Sequence, residues 1–331
     1  MFDHLPRTRL ATLPTSLEPA GALETGPNLW IKRDDLTGLG GGGNKARKLE
    51  FLCGEALADG AKALVTVGAA QSNHCRMTAA AGTRLGLDVH LVLSGDAPRQ
   101  GEPRTGNQFL AELFGAHMHH TGAEQSHWGE LEIARESLTD ELSAQGLSPC
   151  SIPIGGSTAV GALGYALAFV ELIGQCRDAG FEPSAVVFTS SSGGTHAGLL
   201  AGRAAMIAEG LLSAADAPDV VAIGVAKGVN VGLPDVAELG DGALGLLGID
   251  TSIGSEDVEV DPRWIGEDYA VPTSAGTSAI HWAARRGGWI MDPTYSGKGL
   301  SGLLGLVAEG RWDPNEHVVF VHTGGWPALF T

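Results

Sequence analysis

Lysine is scarce in this chain. Six lysines and 15 arginines make up the basic residues, against 38 acidic residues, and the formal net charge is −17. The excess of acid is spread along the chain without a basic stripe, which disfavours binding to nucleic acid or to an anionic membrane. A small soluble ligand is therefore the partner that the composition favours.

Cysteine is also rare, and no two of the four cysteines form a CxxC pair. Neither a structural zinc site nor a disulfide framework is indicated, and this usage suits a reducing cytoplasm. The first residues lack the apolar core of a signal peptide, and no apolar run reaches the ~18 residues that span a bilayer. We expect a soluble cytoplasmic protein that is not exported.

Histidine is concentrated at one place, where His117, His119 and His120 follow one another closely. No cysteine or carboxylate accompanies them at the spacing of metal ligands. The segment therefore predicts the edge of a strand, and we assign no metal.

The length of 331 residues, of which 44% are apolar, favours two domains that each bury their own core. Runs rich in valine, isoleucine and leucine alternate with helical stretches, as at 63–69, 89–95, 185–189 and 220–226. Such alternation predicts a doubly wound α/β fold, with parallel strands covered by helices on both faces. Ligands of these folds bind in the loops that lead from a strand into the next helix.

The first such loop carries one of the six lysines. Residues 29–35, LWIKRDD, are typical of a strand, and the glycine run at 40–43 then opens a helix at Lys45. A lysine that attacks an aldehyde must lose its proton, which burial or nearby positive charge favours, and Arg47 and Lys48 are close in sequence. Lys45 is a candidate Schiff-base lysine, although a surface lysine on an amphipathic helix fits the same pattern.

A second loop, SSSGGTHAG at 190–198, directly follows an apolar run. Its glycines let backbone amides converge, its hydroxyls add donors, and the following helix start supplies partial positive charge, which together suit a phosphate. It lacks the lysine of a nucleotide P-loop and the spacing of the dinucleotide motif. A small cofactor with one phosphate fits better than ATP or NAD, and a glycine-rich tight turn is the alternative.

Two further segments carry polar groups that could bind a ligand. In QSNH at 71–74, Ser72, Asn73 and the amides of a helix start can hold a carboxylate or a ring hydroxyl, or can simply cap the helix. Of only three tyrosines, Tyr295 lies in the glycine-bounded segment MDPTYSGKG, where a phenol can act as acid, base or orienting group. We expect Tyr165 to pack with its hydroxyl satisfied.

These segments occur in the order WIKRDD, GGNKARKLEFL, QSNH, IPIGGSTAVGALGY, SSSGGTHAG, YAVPT, MDPTYSGK and VHTGGWPALF, from near the N-terminus to Phe330. In this order they resemble the family of D-cysteine desulfhydrases and 1-aminocyclopropane-1-carboxylate deaminases. The resemblance implies a pyridoxal-phosphate enzyme of the tryptophan-synthase β type. It implies fold type II, in which two open twisted parallel-sheet domains carry helices on both faces, and a homodimer with a small amino-acid substrate.

Carried over by position, the resemblance implies a set of cofactor contacts. Lys45 would hold pyridoxal 5'-phosphate, Asn73 would contact its ring hydroxyl, and Thr323 would face the pyridine nitrogen. A neutral threonine at that nitrogen implies a weaker electron sink than a carboxylate would give, suited to rapid loss of a β leaving group. The phosphate would be bound by Ser192, Gly193, Gly194 and Thr195.

The resemblance also implies a substrate side. Lys45 would be the base, Ser72 would orient the carboxylate together with Asn73 and His74, and Tyr295 or Tyr269 would assist the leaving group. Trp326 closely follows the cofactor-facing threonine and is a candidate for shaping the pocket. A core or interface tryptophan is the alternative for Trp326.

Two positions distinguish the branches of this family. The deaminases resemble one another in having a glutamate after the tyrosine of DPxY and a leucine after the histidine of HxGG, where this chain has Ser296 and Thr323. The pattern therefore resembles the desulfhydrase branch and implies a β-elimination lyase that converts D-cysteine to pyruvate, ammonia and sulfide. Further alternatives are a 1-aminocyclopropane-1-carboxylate deaminase, a β-replacement transferase and a non-catalytic ligand-binding protein.

L-Cysteate sulfo-lyases, which release sulfite, share this branch and are the first alternative. A sulfonate would need a cationic or donor-rich pocket, for which His74 and His196 are the candidates. In either case the predicted layout has a large cofactor-binding domain of residues 1–45 and 156–331, and a small inserted domain of residues 46–155.

Overall fold

The computed structural model describes residues 1–24, 26–99, 101–124, 127–226 and 235–331. Within these ranges the strands are β1 Leu17–Ala22, β2 Asn28–Lys32, β3 Ala63–Gly68, β4 Asp88–Leu93, β5 His117–His120, β6 Pro149–Ile152, β7 Ala185–Ser190, β8 Asp219–Gly224, β9 Glu259–Asp261 and β10 His317–Val321. The α-helices are α1 Lys45–Ala58, α2 Asn73–Leu85, α3 Gly106–Leu113, α4 Trp128–Ala144, α5 Ala159–Asp178, α6 Gly194–Ala208, α7 Val236–Leu247, α8 Ser274–Gly287 and α9 Ser296–Ala308. Short 3-10 helices occupy Asp34–Leu36, Leu39–Gly41, Ile154–Gly156, Ser255–Asp257 and Trp326–Phe330.

The strands form two open sheets. The first has six strands in the order β1-β2-β10-β7-β8-β9, and the second has four in the order β5-β4-β3-β6. All described strand pairs are parallel except β1 with β2. The apolar runs seen in the sequence are therefore parallel strands with helices between them, as predicted.

Two elements near the N-terminus differ from the prediction. The proline-containing segment before residue 28, for which no strand was predicted, contains β1, an edge strand with Pro19 and a bulge before Gly21; proline is tolerated at an edge because its missing N–H is not needed there. The strand predicted over 29–35 ends at Lys32. Asp34 and Asp35 begin a 3-10 helix instead.

The four-stranded sheet ends in β5, which pairs only with β4. The strand edge predicted from the histidines is confirmed. His90 of β4 and His119 of β5 lie side by side, with their ring nitrogens 3.1 Å apart. In the described part of the chain, no group of three or more His, Cys, Asp and Glu side chains is placed to hold a metal ion.

All strands of the four-stranded sheet fall between residues 63 and 152, inside the segment predicted as the small domain. The boundaries 46–155 remain a proposal. Helix α1 begins at that boundary and packs closely on α5: a Cβ added at Gly164 would lie 2.4 Å from the carbonyl oxygen of Arg47. The two helices therefore approach each other backbone to backbone.

A buried ionic network lies behind this contact. The Arg47 guanidinium is 2.8 Å from Asp34 and 2.9 Å from Glu171, and Lys32 also pairs with Glu171. Burial raises the pKa of Asp34, but the charges of Arg47 and Lys32 and the hydrogen bonds from Arg47 and Tyr165 together outweigh burial and lower that pKa to about 2. Tyr165 donates its phenol to Asp34 at 2.6 Å, so its predicted packing with a satisfied hydroxyl is confirmed.

Helix α5 is apolar over most of its length. In the described chain it is the one helix long and apolar enough to cross a membrane, with 61% of its most apolar window buried inside the protein. It packs chiefly on α6 and α1. That burial is ordinary for the core helix of a doubly wound protein.

Candidate active site

One cavity receives the loops at the carboxyl ends of β3, β7, β8 and β10. It encloses about 880 Å³ of space not filled by protein atoms, its open mouth included, which lies in the range of small-molecule sites. Its lining combines residues next to the four-stranded sheet, such as Ser72, with residues next to the six-stranded sheet, such as Thr323. The cavity therefore lies where strand ends meet, as the α/β pattern predicted.

Lys45 lines this cavity. One residue, Asn44, connects it by hydrogen bonds to Thr195, which follows the glycine-rich loop at the start of α6. Asn44 accepts a hydrogen bond from Lys45 Nζ at 3.2 Å through Oδ1, and donates from Nδ2 to Thr195 Oγ1 at 3.1 Å. One side-chain amide thus holds the amine beside the start of α6. The sequence analysis did not single out Asn44.

The Lys45 amine is enclosed by protein although it opens on the cavity. Burial lowers the pKa of Lys45 from 10.5 to about 8. The expectation that Arg47 supplies positive charge to it is wrong, because Arg47 is fully engaged by Asp34 and Glu171. Lys48 is the basic neighbour on the same side, and burial followed by the Lys45 charge lowers the pKa of Lys48.

The loop before α6 forms a narrow cradle. The Ser157 hydroxyl donates to Ser192 Oγ at 2.9 Å and accepts the Gly194 N–H at 3.2 Å. Gly193 has φ +82°, a conformation that favours glycine. A Cβ at Gly194 would lie 2.7 Å from Lys48 Nζ, so the buried Lys48 amine lies directly against the loop. Ser192, Gly193 and Thr195 line the cavity, whereas Gly194 lies behind them.

The start of α2 supplies a second group of donors. Ser72 is the N-cap, and its Oγ accepts from Cys75 N at 3.2 Å, while the next backbone N–H groups have no acceptor within the helix. Asn107 Nδ2 donates to Asn73 Oδ1 at 3.1 Å and to the Gln71 carbonyl at 2.9 Å. This orientation leaves the Asn73 amide NH2 available as a donor. Asn107 is distant in sequence and was not predicted.

His74 lines the cavity with a fixed tautomer. Thr66 donates its only hydroxyl proton to the Ile152 carbonyl at 2.8 Å. In the 2.8 Å hydrogen bond between Thr66 Oγ1 and His74 Nε2, the histidine must therefore be the donor. The network therefore assigns the proton to Nε2 and leaves Nδ1 as an acceptor, which has no partner among the described residues. Burial, then the charges of Lys45 and Lys48, lower the pKa of His74 well below 6.5. A neutral ring with a bare Nδ1 cannot donate to a carboxylate.

Three aromatic side chains form another part of the lining. The hydroxyls of Tyr269 and Tyr295 are hydrogen-bonded to each other. Burial raises the pKa of Tyr269 to about 12, and burial also raises the pKa of Tyr295 well above 10.0. Trp128 meets the Tyr269 ring edge-on, with centroids 5.5 Å apart at 81°. The sequence analysis missed Trp128.

Tyr295 is positioned by a buried carboxylate. Asp292 accepts the backbone N–H groups of Thr294 and Tyr295, each at 2.9 Å, and the Ser296 N–H at 2.8 Å and hydroxyl at 2.6 Å. Ser296 is fully buried and binds Asp292, so this branch-marking residue acts behind the cavity wall. A glutamate at 296 would set a second carboxylate beside Asp292.

Thr323 lines the cavity, and its carbonyl accepts the Asn44 N–H at 3.0 Å. No aspartate or glutamate is among the described residues of the lining. Two predicted candidates lie outside it. Trp326 donates its indole N–H to the Gly41 carbonyl at 2.7 Å and packs on Phe330, and His196 is fully buried beside Phe188.

The match to known proteins agrees with this arrangement. The chain belongs to the family of pyridoxal-phosphate dependent enzymes, whose sequence model matches residues 8–324, and pyridoxal 5'-phosphate is the cofactor of this family. The chain is 37% identical over 335 residues to a D-cysteine desulfhydrase of Salmonella typhi, covering 99% of this chain and 97% of that protein.

Two other comparisons agree. A D-cysteine desulfhydrase of Serratia proteamaculans (strain 568) is 38% identical over 334 residues, covering 98% of this chain and 95% of that protein. The crystal structure of an ACC deaminase homologue has a TM-score of 0.84 at 33% identity, covering 99% of this chain and 94% of that one. The predicted family, α/β fold of type II and cofactor are confirmed.

The described residues suit this cofactor. A phosphate monoester needs several donors and positive charge, which the amides and hydroxyls of the glycine loop and the partial positive charge of the α6 start provide. An aldehyde needs an amine that can lose its proton near neutral pH, and the pKa of Lys45, lowered by burial to about 8, meets this need. Both lie in one cavity, joined through Asn44.

Proposed function

We propose that this chain is a carbon–sulfur lyase that converts D-cysteine and water to pyruvate, ammonia and sulfide. The single observation that carries the proposal is the Asn44 bridge, which ties the Lys45 amine to the loop 190–195 inside a cavity that also holds paired tyrosines. Similarity to D-cysteine desulfhydrases along nearly the whole chain supports the choice of substrate. A cytoplasmic homodimer is part of the same proposal.

The geometry supports the proposed cofactor contacts. Lys45 holds the cofactor covalently, and Ser192, Gly193, Gly194 and Thr195 bind its phosphate. Asn73 donates to the ring hydroxyl, since Asn107 already occupies its Oδ1. Thr323 faces the pyridine nitrogen.

The substrate carboxylate binds at the start of α2. Ser72 and the free backbone N–H groups of Asn73 and His74 supply donors there, next to the positive end of the helix dipole. The ring of His74 does not share this role, because its Nδ1 accepts and its Nε2 proton is used by Thr66. Ser72 therefore orients the carboxylate through its hydroxyl, and His74 through its backbone.

Bound pyridoxal phosphate supplies the electron sink that acidifies the substrate's α C–H bond. The chain's own groups then move the protons. The Lys45 amine, which is freed when the substrate's amino group takes its place on the cofactor, accepts the α proton. The Cβ–S bond then breaks with its electron pair on sulfur, and the Tyr269–Tyr295 pair donates a proton to the departing sulfide. Water finally replaces the amino group of the eliminated product, which gives pyruvate and ammonia.

The charge of the cavity favours a thiol over a sulfonate. Lys45 is the one residue that can carry positive charge among the described residues of the lining, once the lowered pKa of His74 keeps that ring neutral. His196, the other predicted sulfonate contact, lies outside the lining. L-Cysteate carries one more negative charge than D-cysteine, so sulfite release is the second candidate.

A product assay tests the proposed reaction. The holoenzyme is incubated with D-cysteine, L-cysteine, L-cysteate and 1-aminocyclopropane-1-carboxylate, and sulfide, sulfite, pyruvate and 2-oxobutyrate are measured. Equal amounts of sulfide and pyruvate from D-cysteine are expected. Sulfite from L-cysteate alone overturns the choice of leaving group, and 2-oxobutyrate as the main product overturns the branch assignment.

A labelling experiment tests the proposed role of Lys45. Borohydride reduction of the holoenzyme should fix the cofactor on the peptide that contains Lys45, and the Lys45→Ala variant should take up no label and turn over none of the four substrates. Lys62→Ala, which changes a lysine away from the cavity, is the matched control and should behave as the wild type. Label on another lysine would overturn the assignment.

A further inference from the structure

We propose that Trp128 limits the size of the β substituent that the cavity accepts, an inference that rests on the proposed function. The class of substrate is thereby narrowed to D-amino acids with a small β substituent, such as a free thiol. Trp128 was not a candidate in the sequence, and it is a specificity-determining residue in this proposal because it lines the substrate side without a chemical role.

The position of the substituent follows from the other walls. The loop 190–195 serves the cofactor phosphate, and the α2 start serves the substrate carboxylate. In the proposed reaction the Lys45 amine lies next to the substrate's α carbon. The remaining side-chain surface is aromatic and consists chiefly of Trp128, Tyr269 and Tyr295. A β substituent that leaves with help from the tyrosine hydroxyls must therefore point toward this aromatic wall.

Trp128 packs against two hydrophobic clusters. One consists of Val67, Val92 and Leu131. The other consists of Ala69, Ala226 and Tyr269. A ring packed against two separate clusters cannot swing aside without breaking one of them, so its volume is a fixed limit.

Trp128 lines the cavity and is partly buried. None of the hydrogen bonds found among the described residues involves its Nε1–H. Trp326, by contrast, uses its Nε1–H on the Gly41 carbonyl. Because the Trp128 ring lines the cavity, a bound ligand would contact it directly, and its indole N–H remains available to donate a hydrogen bond.

The test compares substrates that differ only in the bulk on sulfur. Wild type, Trp128→Phe and Trp128→Ala holoenzymes are given D-cysteine, S-methyl-D-cysteine and S-benzyl-D-cysteine, and the common product pyruvate is measured. For Trp128→Ala, the ratio of kcat/KM for S-benzyl-D-cysteine to that for D-cysteine should rise by about 10-fold or more, since a pocket discriminates by the space it offers. Trp128→Phe should fall between the two.

Trp282→Ala is the matched control, because Trp282 stacks under Arg286 at 5.0 Å and takes no part in the cavity lining. Its substrate ratio should equal that of the wild type. Where Trp128→Ala does not fold, Trp128→Leu keeps apolar bulk against Leu131 and takes its place.

A binding measurement separates this inference from the proposed function. Dissociation constants of D-alanine and D-phenylalanine are taken from the change in cofactor absorbance, and Trp128→Ala should favour D-phenylalanine relative to wild type. Ratios unchanged in both the turnover and the binding series overturn the inference. A wild-type holoenzyme that makes no pyruvate from any substrate overturns the proposed function instead, and the binding series still decides the role of Trp128.

Discussion

The hydroxyls of Tyr269 and Tyr295 are hydrogen-bonded to each other within the cavity. Of their two protons, one lies in the shared bond and the other remains for a third group. Because burial raises the pKa of both phenols, to about 12 for Tyr269, both stay protonated at neutral pH. The pair therefore keeps one hydroxyl proton available for donation to a ligand.

We expect Tyr295→Phe and Tyr269→Phe each to lower kcat for D-cysteine by roughly 10²–10⁴-fold, the usual weight of a general acid. Each change removes either the donor or the group that orients it. The measurement is sulfide release at saturating substrate. Tyr165→Phe is the matched control, since its phenol binds Asp34 outside the cavity, and it should lower stability while leaving kcat close to the wild type. Equal kcat losses in all three variants would contradict the pair's role.

The lowered pKa of Lys45 predicts how the stability of the apo-protein depends on pH. Between pH 8 and 10.5, the unfolded state binds the Lys45 proton and the folded state does not, because burial lowers the folded pKa to about 8 from 10.5. Stability therefore rises with pH across this window. Relative to Lys45→Met, the wild type should gain stability from pH 8 to 10, as measured by urea unfolding. A parallel pH dependence of the two proteins would contradict it.

Asp292 predicts a positioning effect on Tyr295. In Asp292→Asn, an amide NH2 replaces one of the two accepting oxygens, so at least one buried N–H group loses its acceptor. We therefore expect a loss of about 1–3 kcal/mol in the free energy of unfolding. The value of kcat should fall more than KM rises, because Tyr295 is displaced and the carboxylate donors are untouched. Ser296→Ala removes only one partner of Asp292 and should give smaller changes in both quantities. The reverse order of severity would rule out this account.

His74 should not set the acid limb of the pH profile. Burial, then the neighbouring lysines, hold the pKa of its ring well below 6.5, so the ring stays neutral across the working range. His74→Gln retains a donor for Thr66 and should lower turnover without moving the midpoint of the acid limb of kcat/KM. A shifted midpoint would show that the ring titrates in that range.

Part of the site could be predicted because strand ends are predictable. The apolar runs at 63–69 and 185–189 locate two parallel strands, and ligands of α/β folds bind in the loops that follow such strands. The two strands lie in different sheets, so the meeting of their loops in one cavity could not be predicted from the runs themselves. The mistake over Arg47 was avoidable. At 3.6 residues per turn, residues two apart on a helix point roughly 200° apart, whereas residues three apart share a face. Lys48, and not Arg47, was therefore the basic residue to place beside Lys45.

Other parts of the site carry no local signal. Asn107 reaches Asn73 only through a tertiary contact, and Asn44 has the sequence of an ordinary helix cap. Trp128 begins a helix whose exposed face is acidic. Its sequence neighbours therefore predict that the Trp128 side chain faces solvent and does not line a cavity. Trp326 was placed near the pocket by its closeness to Thr323, yet the turn at Gly325, with φ +110°, directs it to the Gly41 carbonyl.

The contact between α1 and α5 bears on how the protein could move. Lys45 is the first residue of a continuous helix whose first turn also carries Lys48, and Gly164 lets this helix lie against α5 with almost no gap. Arg47 fastens the same turn to Asp34 and Glu171. Leu49 and Leu52 of the same helix are also buried in one cluster with Leu64 of the four-stranded sheet. Because α1 is packed on both sides, any movement of the four-stranded sheet relative to α5 must act on this helix, and therefore on the position of the Lys45 amine at its first residue.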